Sequence, residues 1–208
     1  MIILKDHNLV FVHIPKTAGT SIISWAQENL NTELMMSPHA GMHQMSQRQI
    51  IDLRKHMFFT VVRNPFARQL SHYMYHLNSF QTAVMNDQEK KIENVRNTRI
   101  LKDLEKGFEH WFIDTQEYVM PQQRWWNYKW TNQCDWIIPS MTHVMRFEML
   151  EDQISWLFHR TKCYNKPLSR LNSTGSYQKD YKDHYSQKLR KIVEEKFERD
   201  LTVFKYSF

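Results

Sequence analysis

A chain of 208 residues, 41% hydrophobic and 13% aromatic, has enough apolar side chains for one packed core. Four glycines and six prolines exclude a fibrous or low-complexity chain, and the aromatic content argues against disorder. A net charge of +6 and a pI near 9.2 suit an anionic partner (nucleotide, glycan, nucleic acid or membrane surface) without choosing among them.

In chain order, residues 8–14 (Asn-Leu-Val-Phe-Val-His-Ile) predict a short buried strand. Pro15 to Gly19 reads as a turn. Ile22, Ile23, Trp25, Ala26 and Leu30 then recur at helical spacing. A second helix is predicted over 46–55, with Ser46 as N-cap and Ile50, Ile51 and Leu53 as apolar positions. Met57 to Val62 is another buried strand. Asn64-Pro65 opens a helix continued by Phe66, Leu70, Tyr73, Met74 and Leu77, since Asn favours the N-cap and Pro the first helical position.

Residues 81–99 are polar and lack periodicity, which predicts a surface excursion. Helical spacing returns through Leu101, Leu104, Phe108, Trp111 and Phe112. Asp135–Ile138 and His143–Phe147 read as short strands, Glu148–His159 as a helix, and 164–181 as a loop. A final amphipathic helix is predicted over 182–200. Strands alternating with helices imply an α/β fold, a central parallel sheet flanked by helices, in a single domain spanning 1–208. Ligands of such sheets bind beyond the carboxyl ends of the strands.

Cys134 and Cys163 form no CxxC or Cys/His spacing, so no zinc site is expected and two thiols are favoured over a disulfide. No basic segment precedes a long apolar stretch at the N-terminus, and no run approaches the roughly eighteen apolar residues of a membrane helix. The expectation is a cytoplasmic chain without a signal peptide or membrane span.

Two motifs carry chemistry. In His13-Ile14-Pro15-Lys16-Thr17-Ala18-Gly19-Thr20-Ser21 a strand feeds a tight loop and a helix, presenting backbone N–H groups, a helix N-terminus and the Lys16 charge to an anion. The spacing is not that of a Walker A loop. In Val61-Val62-Arg63-Asn64-Pro65-Phe66-Ala67-Arg68-Gln69-Leu70-Ser71, Arg63 ends a buried strand, where a guanidinium can hold a phosphate by two hydrogen bonds.

In combination and order these motifs resemble the two nucleotide-binding signatures of sulfotransferases that use 3′-phosphoadenosine-5′-phosphosulfate (PAPS). The nearer resemblance is to the carbohydrate branch that includes heparan sulfate 2-O-sulfotransferases and bacterial relatives. The stretch from Leu171 through Ser173, Thr174, Gly175, Tyr177, Tyr181 and Tyr185 to Phe208 is similar to that family's ending. The resemblance implies a P-loop-like sulfotransferase fold. Lys16 would stabilise charge on the leaving phosphate. Thr17, Ala18, Gly19, Thr20 and Ser21 would cradle the 5′-phosphate, and Arg63 and Ser71 would grip the 3′-phosphate. Ser173, Thr174, Gly175 and Tyr177 would close over the nucleotide. No metal is implied.

The acceptor hydroxyl needs a base, which the family carries between the two motifs. His43, just before the second predicted helix, matches that position, and His39 in Ser-Pro-His-Ala-Gly competes with it. His56, Glu28 and Glu148 are further candidates. Trp125, Trp126 and Trp130, with Trp111 and Trp136, offer either a sugar-stacking platform or core packing. Gln122, Arg124 and Lys129 stand beside them. The partner implied is a hydroxyl-bearing acceptor, a glycan above all. Nucleic acid is not expected, because no Lys/Arg stripe interleaves with aromatics. Two alternatives stay open: a nucleotide kinase or other phosphoryl transferase, and an inactive binder of PAPS or polyanions.

Overall fold

Short runs of β-branched and aromatic residues become the strands. The protein is described by a computed structural model over residues 1–37, 39–86, 104–114, 131–164, 166–169 and 180–208. It divides into two compact units: Met1–Asn64 with Thr131–Ser173, and Pro65–Trp130 with Thr174–Phe208.

The first unit holds a five-stranded sheet in the order β3-β1-β2-β4-β5, made of β1 (Ile2–Leu4), β2 (Leu9–Val12), β3 (Thr32–Leu34), β4 (Met57–Val62) and β5 (Thr142–Arg146). β2 pairs with β4 and β4 with β5 in parallel, with Val12 opposite Thr60 and Val62 opposite Arg146. β1 runs antiparallel to both β2 and β3. The fold is α/β as expected, with a mixed sheet because two three-residue strands join the parallel core.

Helices α1 (Gly19–Asn29), α5 (Leu150–Gln153) and α6 (Ser155–Thr161) bury Ile22, Trp25, Leu150, Ile154 and Leu157 in one cluster with Leu9, Phe11, Phe59, Val61 and Met145. The alternate residues Val10, Val12, Phe58, Thr60 and Val62 are buried too. Strands covered on both faces read as continuous apolar runs, which is why β2 and β4 were legible. α2 (Gln47–Asp52) begins at Ser46, whose hydroxyl accepts from the Gln49 N–H while the Gln49 side chain reaches back, a capping box worth about 1 kcal/mol. Ile51 in that helix is exposed, unlike the apolar position expected of it.

The second unit is helical in its described residues: α3 (Pro65–Met85), α4 (Phe108–Asp114), α7 (Gln187–Lys196) and α8 (Glu198–Phe204). Its core joins Phe66, Leu70, Tyr73, Phe108, Trp111, Phe112, Leu189, Val193 and Phe197. Tyr185, packed against that cluster, donates its hydroxyl to the Phe66 carbonyl at 2.9 Å. Arg68 and Asp200 are both fully buried. Burial lowers the Arg68 guanidinium to about 10, and the Asp200 charge opposes the fall. Arg68, although part of the second motif, is a core residue.

Several expectations are corrected. Residues 81–85 continue α3, with Gln81, Thr82, Val84 and Met85 exposed at the surface, since no Gly or Pro stops the helix after Leu77; 87–99 lie outside the described residues. Asp135–Ile138 is no strand: Gln133–Trp136 forms a 3-10 turn. The helix expected over Glu148–His159 is a 3-10 turn (Phe147–Met149) followed by α5 and α6. That expected over 182–200 is a 3-10 turn (Tyr181–His184), α7 and α8. Cys134 and Cys163 are both thiols. Among the described residues no helix is long and apolar enough to cross a membrane.

Candidate active site

Because β2 and β4 are parallel neighbours, their carboxyl ends lie side by side, and the two motifs meet although 47 residues separate Lys16 from Arg63. The Thr60 hydroxyl donates to the Val12 carbonyl at 2.7 Å and ties the two ends together, a buried bond worth about 1 kcal/mol.

The loop after β2 is built under backbone constraint. Lys16 and Ala18 adopt left-handed backbone at φ +70° and +68°, which costs a non-glycine residue about 1–2 kcal/mol. Thr17 between them is fully buried and donates its hydroxyl to the Ile14 carbonyl at 2.8 Å. Its hydroxyl therefore holds the loop shut, and what Thr17 offers a ligand is backbone. Ala18 is the N-cap of α1 and supplies no side-chain cap. A left-handed residue followed by helical backbone turns successive N–H groups to one side, the geometry of an anion-binding concavity at a helix N-terminus. The Thr20 side chain is exposed in this first turn, whereas Ser21 is buried.

Gly19 owes its identity to a neighbour. A Cβ there would lie 1.8 Å from His13 Cδ2 and 2.1 Å from His13 Nε2. The His13 ring thus occupies the place of a side chain at 19 and sets the loop's curvature from behind. Burial, then His39, the terminal amine and Lys16, lower its imidazole to about 3, so it is neutral.

Arg63 leaves the end of β4 only 4% exposed. Its guanidinium lies 4.2 Å over the Phe147 ring and donates through Nη1 to the Lys16 carbonyl at 3.3 Å. Burial and, second, the Arg63 charge lower the half-buried Lys16 ammonium to about 8. Two cations held together in this way favour an anion beside them. Gln133, absent from the sequence reading, bonds the Arg63 backbone on both sides, and Glu148 Oε1 accepts the neighbouring Asn64 N–H at 2.7 Å. Glu148, a candidate base, is thus engaged in holding the strand end.

The two histidines differ. His39 is half-buried and packs on His13 with ring centroids 4.5 Å apart. Burial lowers its pKa, opposed by a hydrogen bond to the His13 backbone. His43 is exposed on the 3-10 turn Met42–Gln44, with Nδ1 2.9 Å from the Asp135 carbonyl oxygen. A carbonyl only accepts, so Nδ1 is the donor here and Nε2 is the ring nitrogen left to meet an acceptor. Gly41 makes room for this ring, since a Cβ there would fall 2.7 Å from His43 Nδ1 and 3.1 Å from Trp136 Cα.

Lys16 to Ser21 and Arg63 are therefore brought together, with His39 joined to the loop through His13. Ser71 is buried in α3 of the second unit. Ser173, Thr174, Gly175 and Tyr177 lie outside the described residues, as do Gln122, Arg124, Lys129, Trp125, Trp126 and Trp130. Trp111 and Trp136, 0% and 2% exposed, are core residues rather than a sugar platform.

Neither a curated protein nor a solved structure matches the chain. A family model described as the sulfotransferase family matches residues 1–207, and on that near-complete match the chain belongs to the sulfotransferase family.

Proposed function

We propose that the protein moves a sulfuryl group from PAPS to a hydroxyl of a carbohydrate acceptor, with His43 as general base. The observation that carries the reading is the pairing of Lys16 and Arg63 at adjacent strand ends, beside the N-terminus of α1. The carbohydrate acceptor rests on the resemblance of the two motifs to that branch of the family.

PAPS supplies the activated sulfuryl group. The backbone N–H groups of Ala18, Gly19 and Thr20 hold the 5′-phosphate, and Arg63 holds the 3′-phosphate that separates this donor from ATP. Lys16 stabilises the charge that grows on the leaving phosphate, an interaction strongest in the transition state. His43 takes the acceptor proton on Nε2 while the Asp135 carbonyl keeps Nδ1–H in place. In-line transfer of an anionic group asks for such positioning and charge stabilisation. The test is incubation with PAPS and a panel of sugar and small-molecule hydroxyls, reading adenosine 3′,5′-diphosphate release and sulfated product. Sulfated sugar is expected; phosphoryl transfer from magnesium-ATP with none from PAPS would overturn the reading.

The Lys16 pKa gives a pH dependence. Below about 8 the ammonium is charged and attracts the nucleotide; above it the free protein must take up a proton to bind. Affinity for adenosine 3′,5′-diphosphate is therefore expected to fall about tenfold between about pH 7 and 9, with proton uptake on binding at the upper end. Titration calorimetry in buffers of different ionisation enthalpy reads both. The slope should vanish in Lys16→Ala, and a slope that persists there contradicts the assignment.

A further inference from the structure

β4 outruns its ladder. Its last register pairs are Thr60 with Val12 and Val62 with Arg146, and Arg63 lies beyond both. At that point one side chain takes the role of a strand. The Arg63 N–H donates to Gln133 Oε1 at 2.9 Å, and Gln133 Nε2 donates to the Arg63 carbonyl at 2.8 Å. The primary amide of Gln133 offers donor and acceptor together, and the two contacts fix which way it faces. Gln133 is fully buried, so water does not substitute for it. Two residues further on, the Asp135 carbonyl accepts from His43 Nδ1. One four-residue turn, Gln133–Trp136, is thereby joined to both the arginine and the histidine of the site.

We propose that Gln133 is a positioning residue that aims the Arg63 guanidinium, so that preference for a nucleotide bearing a 3′-phosphate depends on this amide. The inference rests on the reading of Arg63 given above. A guanidinium selects a phosphate by directed hydrogen bonds, and its direction is inherited from the backbone that carries it. Phe147 supports the plane of the group at 4.2 Å and the Lys16 carbonyl receives one end at 3.3 Å, but Gln133 is what both backbone groups of Arg63 hold.

The experiment compares affinity for adenosine 3′,5′-diphosphate with that for adenosine 5′-monophosphate in wild type, Gln133→Met and Gln133→Glu. Wild type should prefer the diphosphate. Gln133→Met keeps the shape but neither hydrogen bond, and should lose about tenfold of that preference while its monophosphate affinity moves less than about twofold. Gln133→Glu keeps an acceptor for the Arg63 N–H and, only once its buried carboxyl is ionised, lacks a donor for the Arg63 carbonyl; it should lose about threefold at pH values where the carboxylate forms and recover the preference where it is protonated. If the methionine variant does not fold, the glutamate variant carries the same test. Preference retained in full, or equal loss for both nucleotides, overturns the role of Gln133. No preference in wild type overturns the reading of Arg63 instead.

Discussion

Lys16→Ala is expected to lower turnover about 10²–10³-fold, the usual loss when one preorganised donor to developing charge is removed. The fold should survive. Lys16 is half-buried, its backbone stays at φ +70° with the same cost for alanine, and the substitution removes a repulsion from Arg63. Thermal midpoint should therefore hold steady or rise slightly while kcat collapses. Near-wild-type turnover in a folded Lys16→Ala protein would remove this residue from the chemistry.

His43→Ala should lower kcat about 10²–10⁴-fold, the range for a general base, with nucleotide affinity unchanged. The reason lies in tautomer and exposure: Nδ1–H is held by Asp135, and the exposed ring can meet an acceptor. His39→Ala is the informative control. Its ring lies against His13 behind Gly19, so its loss should loosen the loop and weaken nucleotide binding modestly while leaving kcat at saturating donor close to wild type. If His39→Ala loses turnover at saturation and His43→Ala does not, the base is His39.

Much of the first unit's framework was legible in the sequence for physical reasons. β2 and β4 are buried on both faces, so they show as unbroken apolar runs; α1 carries helical spacing, as does α3 of the second unit, whose start Asn64-Pro65 marks. Local signals sufficed for the tight strand–loop–helix turn after β2 as well. β1 and β3 are too short to show a period, and the apolar run around Trp136 reads equally as a strand or a buried turn. The supports of the site were not legible at all. Gln133 meets Arg63 across 70 residues and Glu148 meets Asn64 across 84, and nothing local marks either. Gly41 and Gly19 could be seen as glycines, but the reason for each is a ring that the fold brings against it. Arg68 shows the converse: a charged residue inside the second motif that the fold buries together with Asp200.

The central claim, that Arg63 and the Lys16 loop form a site for a nucleotide with a 3′-phosphate, is tested most directly by calorimetric titration with adenosine 3′,5′-diphosphate beside magnesium-ATP, in wild type and Arg63→Ala. The account predicts tight binding of the diphosphate, weakened about 10²-fold by Arg63→Ala, as expected for losing a charged bidentate contact. A preference for magnesium-ATP, or diphosphate binding indifferent to Arg63, would contradict it.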